Sequence, residues 1–250
     1  MSHSYFLVLI VLAAITGCAS GAKEYLQNGL TFYNQKQYQG ALEQFDRAAK
    51  LEPGMADVYY HRGNLYRDWN KQYDLATENY SKALEIKPDY VVALMNRGNI
   101  YRLQSKPKEA TKDYEKILQL DANNARAHYN LSLIYKDFYT KNNEFKELNQ
   151  AKIYINKALE YDPENPDFYR TRADMFILEK EYTKAVDDYS KILQLDQQDL
   201  RAMMERGIAF YHMKDYNRAY RDFNECQDKG FQHPQIDVYR RKVLENKTNK

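Results

Sequence analysis

The chain has 250 residues, 44% of them apolar and 29% charged, which is enough material for an ordered body and too little bias for wholesale disorder. Its 37 Lys and Arg stand against 35 Asp and Glu, so there is no overall basic field to hold nucleic acid and any charge preference must be local. Nine Gly, six Pro and 24 Tyr suit helices with aromatic packing rather than a turn-rich β architecture.

Tyr5 to Ile15 form a nearly unbroken apolar run, followed by Thr16-Gly17-Cys18-Ala19-Ser20. The run is short for a bilayer span and suits the apolar region of an export signal. Ile15-Thr16-Gly17-Cys18 resembles the bacterial lipoprotein signal. That resemblance implies a signal peptide over 1–17, a lipid on Cys18, a short tether over 18–21 and a membrane anchor in the cell envelope. Ala19 stands where an aspartate would favour the inner membrane, so the resemblance points to the outer membrane, facing the periplasm. No Lys or Arg stands among residues 2–4, and an uncleaved anchor over residues 4–22 would tether the chain as well. Cys226 is the other cysteine; with Cys18 taken by the anchor it has no disulfide partner and reads as buried packing.

Beyond the tether the chain repeats itself. Small residues recur at Gly29, Gly63, Gly98, Ser132, Ala173 and Gly207, each followed three residues later by Phe32, Tyr66, Tyr101, Tyr135, Phe176 or Phe210. Alanines recur at Ala41, Ala76, Ala110, Ala151, Ala185 and Ala219, separated by 35, 34, 41, 34 and 34 residues. Four residues after each alanine comes Phe45, Tyr80, Tyr114, Ile155, Tyr189 or Phe223, and three further on Ala48, Ala83, Ile117, Ala158, Ile192 or Cys226. Spacings of three and four place each set on one helix face, so each repeat is two amphipathic helices, A and B. Pro53, Pro88 and Pro163 fall after helix B, where a fixed φ and a missing N–H stop propagation.

This small-aromatic-alanine-aromatic-alanine-proline pattern resembles the tetratricopeptide-repeat family. The resemblance implies an all-α, right-handed superhelical solenoid of six helix-turn-helix repeats over 22–55, 56–90, 91–124, 125–165, 166–199 and 200–233. Repeats three and five carry Ala122 and Gln197 in place of the proline, and repeat four has Ile155 in place of an aromatic. One extra residue lies between Gly63 and Ala76, and seven lie between Ser132 and Ala151. Seven residues is close to two helical turns, so Asp137 to Gln150 is predicted to lengthen both helices of repeat four by about one turn. The other reading of that segment is a loose loop around Lys141-Asn142-Asn143-Glu144. Over 234–250, Ile236, Tyr239 and Val243 recur at helical spacing and predict a capping helix, with residues 246–250 as a frayed tail.

The family places helix A on a concave groove. The positions that would face it are Tyr60, Asn64 and Arg67; Asn96, Asn99 and Arg102, with Met95; Arg126, Tyr129 and Lys136; and Arg170 with Asp174. The corresponding residues at the two ends are apolar: Leu26, Leu30 and Tyr33, then Met204, Ile208 and Tyr211. Arg forks and rigid Tyr rings suit a protein or peptide partner with an acidic or C-terminal carboxylate segment; an ordinary solvated helix face is the other reading. Asn64, Asn96 and Arg126 also fall at the positions of the family's carboxylate clamp, although Tyr60 and Asn130 stand where its lysine and a further arginine belong.

His61, His128, His212 and His233 belong to different repeats, and neither a metal-binding HExxH nor a Gly-rich phosphate loop is found, so the sequence offers no catalytic residue, metal or cofactor. The expected function is a membrane-tethered scaffold that binds a protein partner during assembly of a bacterial envelope complex. Repeat number and anchor make it similar to the pilotins of type IV pilus secretins. A periplasmic enzyme or subunit acting on an acidic substrate, and a structural homo-oligomer, are the alternatives.

Overall fold

The computed structural model describes residues 21–248. The signal segment, Cys18 and most of the tether therefore lie outside the described residues. All regular structure within them is helical. The helices pair as α1 (21–34) with α2 (Tyr38–Leu51), α3 (Ala56–Asp68) with α4 (Tyr73–Ile86), and α5 (Val91–Leu103) with α6 (Pro107–Leu120). They continue as α7 (Ala125–Asn142) with α8 (Phe145–Tyr161), α9 (Pro166–Leu178) with α10 (Tyr182–Leu195), α11 (Leu200–His212) with α12 (Tyr216–Asp228), and a last helix α13 (Pro234–Thr248). The first three pairs form one compact unit, up to Ala122; the rest form a second, from Asn123. α13 is helical to Thr248, so residues 246–248, expected to fray, belong to the helix, and the last two residues lie outside those described.

Each pair is drawn together by the small residue of helix A. A Cβ on Gly63 would lie 2.6 Å from the Tyr80 ring, one on Gly98 2.8 Å from Tyr114, and one on Gly207 2.8 Å from Phe223. The ring therefore lies flat on the helix A backbone at a distance that no larger residue permits. The alanines of helix B are buried in all six repeats, closing the same contact from the other side.

Helix B ends alike with and without proline. In α6 and α10, whose next residues lead to Ala122 and Gln197, Asp121 and Asp196 take up extended backbone and bond back to Ile117 and Ile192, as Glu52 and Lys87 do before Pro53 and Pro88. The following helices start on side-chain caps: Asn124 accepts from Ala127 N–H and Asp199 from Ala202 N–H.

The inserted residues are absorbed as the spacing predicts. α7 and α8 run to 18 and 17 residues, against 13 and 14 in α5 and α6. The added turns are packed: Leu148 is fully buried, Tyr139 nearly so, and Asn143 closes the corner with φ 56°. In repeat two the single extra residue gives two consecutive left-handed residues, Asn70 and Lys71, beside Trp69, which stacks on Tyr38.

Gly63→Ala should lower the free energy of unfolding by about 1–3 kcal/mol, because the added methyl meets a buried ring that cannot retreat. Urea unfolding followed by circular dichroism checks it, and stability equal to the parent would show that Tyr80 can move.

Candidate functional site

In the first unit the predicted groove residues are brought together, and a buried hydroxyl organises them. Tyr80 OH donates to Asn64 Oδ1 (2.7 Å), and Tyr114 OH donates to Asn99 Oδ1 (2.8 Å). Burial pushes both phenols above the ordinary tyrosine range, so each remains a donor and needs an acceptor. The acceptor sits one residue after the small residue of helix A. With its carbonyl pinned from below, each amide group is fixed in orientation. Asn96 Nδ2 adds a second bond to Asn64 Oδ1 (2.9 Å), and Tyr60 stands beside this network with its ring 5.1 Å from that of Tyr90.

The same rule runs through the chain. In repeat five Tyr189 OH donates to Asp174 (3.4 Å). Where helix B offers no hydroxyl at this position, with Phe45, Ile155 or Phe223, the residue after the small one on helix A is Leu30, Leu133 or Ile208. Within each repeat, the polarity of this helix A position thus follows from whether the helix B side chain beneath it carries an oxygen. Sequence reading missed this coupling, although the signal is present at separations of 15 and 16 residues.

The expected basic character is smaller than the residue types suggest. Arg67 binds Asp68 through Nε (2.7 Å) and Nη2 (3.0 Å), and Asp68 also accepts from Tyr33 OH. The Arg67 bond holds the Asp68 carboxyl below its usual range, while burial and the Asp68 bond push the Tyr33 phenol up to about 12. In the second unit Lys136 lies 3.6 Å from Asp174, and Arg170 is paired with Asp199. Among the described residues, Arg102, whose Nε has no acceptor and which lies near the Tyr114 hydroxyl, and the exposed Arg126 form no ion pair. Tyr129 packs on Phe168 (4.8 Å).

At the C-terminal end the expectation is corrected. Met204 and Ile208 are 2% and 8% exposed, within the cluster that holds Ile236 and Val243 of α13, and the Tyr211 ring meets Tyr239 at 5.1 Å. The last helix covers this apolar end, which is therefore closed to a partner. At the other end Leu26, Leu30 and Tyr33 remain half-buried against the cluster of Ala41, Phe45, Ala48, Val58 and Leu65.

A second feature absent from the sequence reading is a set of arginines that bridge neighbouring repeats. Arg97 binds Asp113 with Nε and Nη2 (2.9 and 2.6 Å) and reaches back to Ser81 (2.9 Å). Arg172 binds Asp188 and Asn156 in the same way, and Arg206 binds Asp222 and Ser190. Arg62 spans Asn79 and Asp46. Burial pushes the Asp113, Asp188 and Asp222 carboxyls up, and the facing guanidinium opposes it. These residues lock helices together and are not placed for a ligand. Repeat four carries Leu131 and Tyr154 at the two positions instead.

The histidines lie apart: His61 packs on Tyr60, His128 is buried, His212 stacks on Tyr182 and His233 on Phe231. Among the described residues no three His, Cys, Asp or Glu side chains converge on a metal site, and no helix is long and apolar enough to cross a membrane.

Profiles of the tetratricopeptide repeat match residues 29–68, 56–90, 91–124 and 148–199, together more than half of the chain. The type IV pilus assembly protein PilF of Pseudomonas aeruginosa is 35% identical over 77 residues, 31% of this chain and 31% of that protein. A DnaJ protein P58IPK homolog of Arabidopsis thaliana is 20% identical over 86% of this chain, which spans 39% of the plant protein. Among solved structures, that of Pseudomonas aeruginosa pilF matches with a TM-score of 0.71 at 21% identity, over 92% of this chain and 99% of that one. PilW, a type IV pilus biogenesis factor, gives 0.69 at 18% identity, over 87% and 97%. YrrB, a repeat protein with an unusual peptide-binding site, gives 0.61 at 20% identity, over 79% and 97%.

Asn99→Leu strands the Tyr114 hydroxyl and should cost about 1–3 kcal/mol in urea unfolding; the double variant Asn99→Leu/Tyr114→Phe, which copies the pairing of Leu30 with Phe45, should recover most of that. Cys226 donates to the Leu200 carbonyl (3.5 Å), and burial pushes its thiol up to about 11. At pH 8 it is therefore a neutral thiol in the folded chain, and site-resolved alkylation should modify it only once the chain is unfolded.

Proposed function

Because the chain is a tetratricopeptide-repeat protein, built from a module that binds protein and peptide partners, we propose that it is a scaffold holding a protein partner on the helix A faces of its first unit. The observation that carries this reading is the pair of asparagines, Asn64 and Asn99, whose carbonyls are fixed by buried tyrosine hydroxyls. Two NH2 groups held in place before a ligand arrives lose little freedom on binding, and the carbonyls or carboxylates of an extended segment accept from them. Arg102, without a carboxylate of its own, adds a charge that favours an acidic or C-terminal segment. Tyr60 supplies aromatic area, and Leu26, Leu30 and Tyr33 extend the surface on its apolar side. In the second unit, taken by itself, Arg126 and Tyr129 are the helix A positions that would meet a partner, whereas Lys136 and Arg170 are held by their own carboxylates.

The scaffold acts in the bacterial cell envelope, in this reading: a lipid on Cys18 tethers it to the outer membrane, facing the periplasm, where it holds a component of an assembling envelope complex of the type IV pilus kind. The lipoprotein-like residues 15–18 support the anchor. The identity with PilF over 77 residues and the likeness of fold to pilF and PilW support the setting. Its part is binding rather than catalysis, since the groove offers fixed donors and no poised base or nucleophile.

A photo-crosslinking residue at position 102 should trap one defined protein in cells, and Asn64→Ala/Asn99→Ala should reduce the yield at least several-fold with the helical spectrum unchanged. Recovery of no protein, or of the same protein at equal yield from the double variant, would overturn the assignment.

A further inference from the structure

The described end of α1 and the proposed lipid are separated by very little chain, and this fixes which side of the first unit meets the membrane. Residues 18–20 reach about 10 Å when fully extended. A Cβ built on Gly21 would lie 3.5 Å from Leu51 Cδ1, so α1 begins beside the C-terminus of α2. That point belongs to the rim of the first unit formed by the connections between repeats. Tyr90 OH donates to Asp57 (2.5 Å), tying the connection after α4 to the one after α2. The end of α6 lies on the same rim, because α6 returns antiparallel to α5.

The surface of this rim has the composition of a membrane interface. Leu51, Val92 and Leu120 are 40%, 46% and 43% exposed, and Tyr90 carries the Lys87 ammonium 4.7 Å from its ring. Lys50 and Lys87 are exposed, and Tyr with Lys is the pairing that membrane interfaces favour. Exposed Asp57, Asp89 and Asp121 on the same edge limit the contact to the headgroup layer. The opposite rim, formed by the turns within repeats, also exposes apolar side chains, Leu75 and Leu103, so exposure alone does not choose between the two. Chain length does: a helix of 13 residues sets the rims about 20 Å apart, twice what the tether reaches.

We propose that the inter-repeat rim of the first unit, through Leu51 and Val92, rests on the lipid headgroups, leaving the rim that carries Leu103 turned away from the bilayer. The inference rests on the anchor at Cys18 and extends it from attachment to orientation.

The test uses the full lipidated chain in vesicles of phosphatidylethanolamine and phosphatidylglycerol that contain a nitroxide on the headgroup. Single fluorescent labels are placed through Leu51→Cys, Val92→Cys or Leu103→Cys; Cys226 is buried and Cys18 acylated, so neither competes for label. The nitroxide should quench the probe strongly at 51 and at 92, and leave that at 103 at its value in nitroxide-free vesicles. Equal quenching at 51 and 103, or none at 51 in vesicle-bound protein, would overturn the orientation while leaving the anchor standing. Failure of the chain to stay on vesicles, or retention of Cys18→Ser as complete as that of the parent, would overturn the anchor and the orientation with it.

Discussion

Everything in the two units depends on one contact, between a residue with little or no side chain on helix A and the ring that lies against it from helix B. The absence of a Cβ at Gly63, Gly98 and Gly207 lets the two backbones approach to the thickness of one ring, and the buried alanines of helix B hold them there. The distance between helices is thus set by the stiffest objects available, a backbone and an aromatic plane. Flexible side chains fill what remains. Where repeat four relaxes the rule, both partners change together: Ser132 replaces glycine and Ile155 replaces the ring.

A ring so placed has its outer edge just beneath the face of helix A, and a hydroxyl on that edge cannot be left unpaired. Tyr80 and Tyr114 therefore demand an acceptor at the next position of helix A, and Asn64 and Asn99 supply it. Phe45 and Phe223 make no such demand, and Leu30 and Ile208 follow them. The chemistry offered to a partner is in this way decided by an oxygen atom inside the fold. The core and the recognition face are not independent inventories of residues.

Much of this could be read from the sequence, and the parts that could not share a cause. Helix number, pairing and the lengthened fourth repeat follow from spacings of three, four and 34, which are properties of a single helix or a single repeat. The ends of helix A were hidden because the left-handed residue that closes them is Lys36, Ser105, Lys180 or Lys214 rather than glycine; the backbone adopts the glycine conformation, with Lys180 N–H bonding to Ile177 and Glu181 N–H to Phe176, without the glycine signal. Arg97 with Asp113 and Tyr114 with Asn99 were hidden because a separation of 15 or 16 residues means nothing until two helices are placed side by side. The basic character of the groove is overstated in the sequence for the same reason, since Asp199, which caps α11, lies 29 residues beyond the Arg170 that it pairs with. The closure over Met204 and Ile208 needed the placement of α13, although the helix itself was expected.

The bridging arginines give the repeats a direction. Each reaches from helix A back to helix B of the preceding repeat, from Arg172 to Asn156 and from Arg206 to Ser190. Repeat four keeps the receiving end of this device, in Asn156, and lacks the giving end, because Leu131 stands where the arginine would be. Its two flanks are therefore unequal as substrates for gene duplication. A repeat copied in behind it would find a ready acceptor, whereas a copy of repeat four itself would bring no arginine to the neighbour ahead of it, so the array can lengthen by duplication on one side of repeat four more readily than by multiplying repeat four.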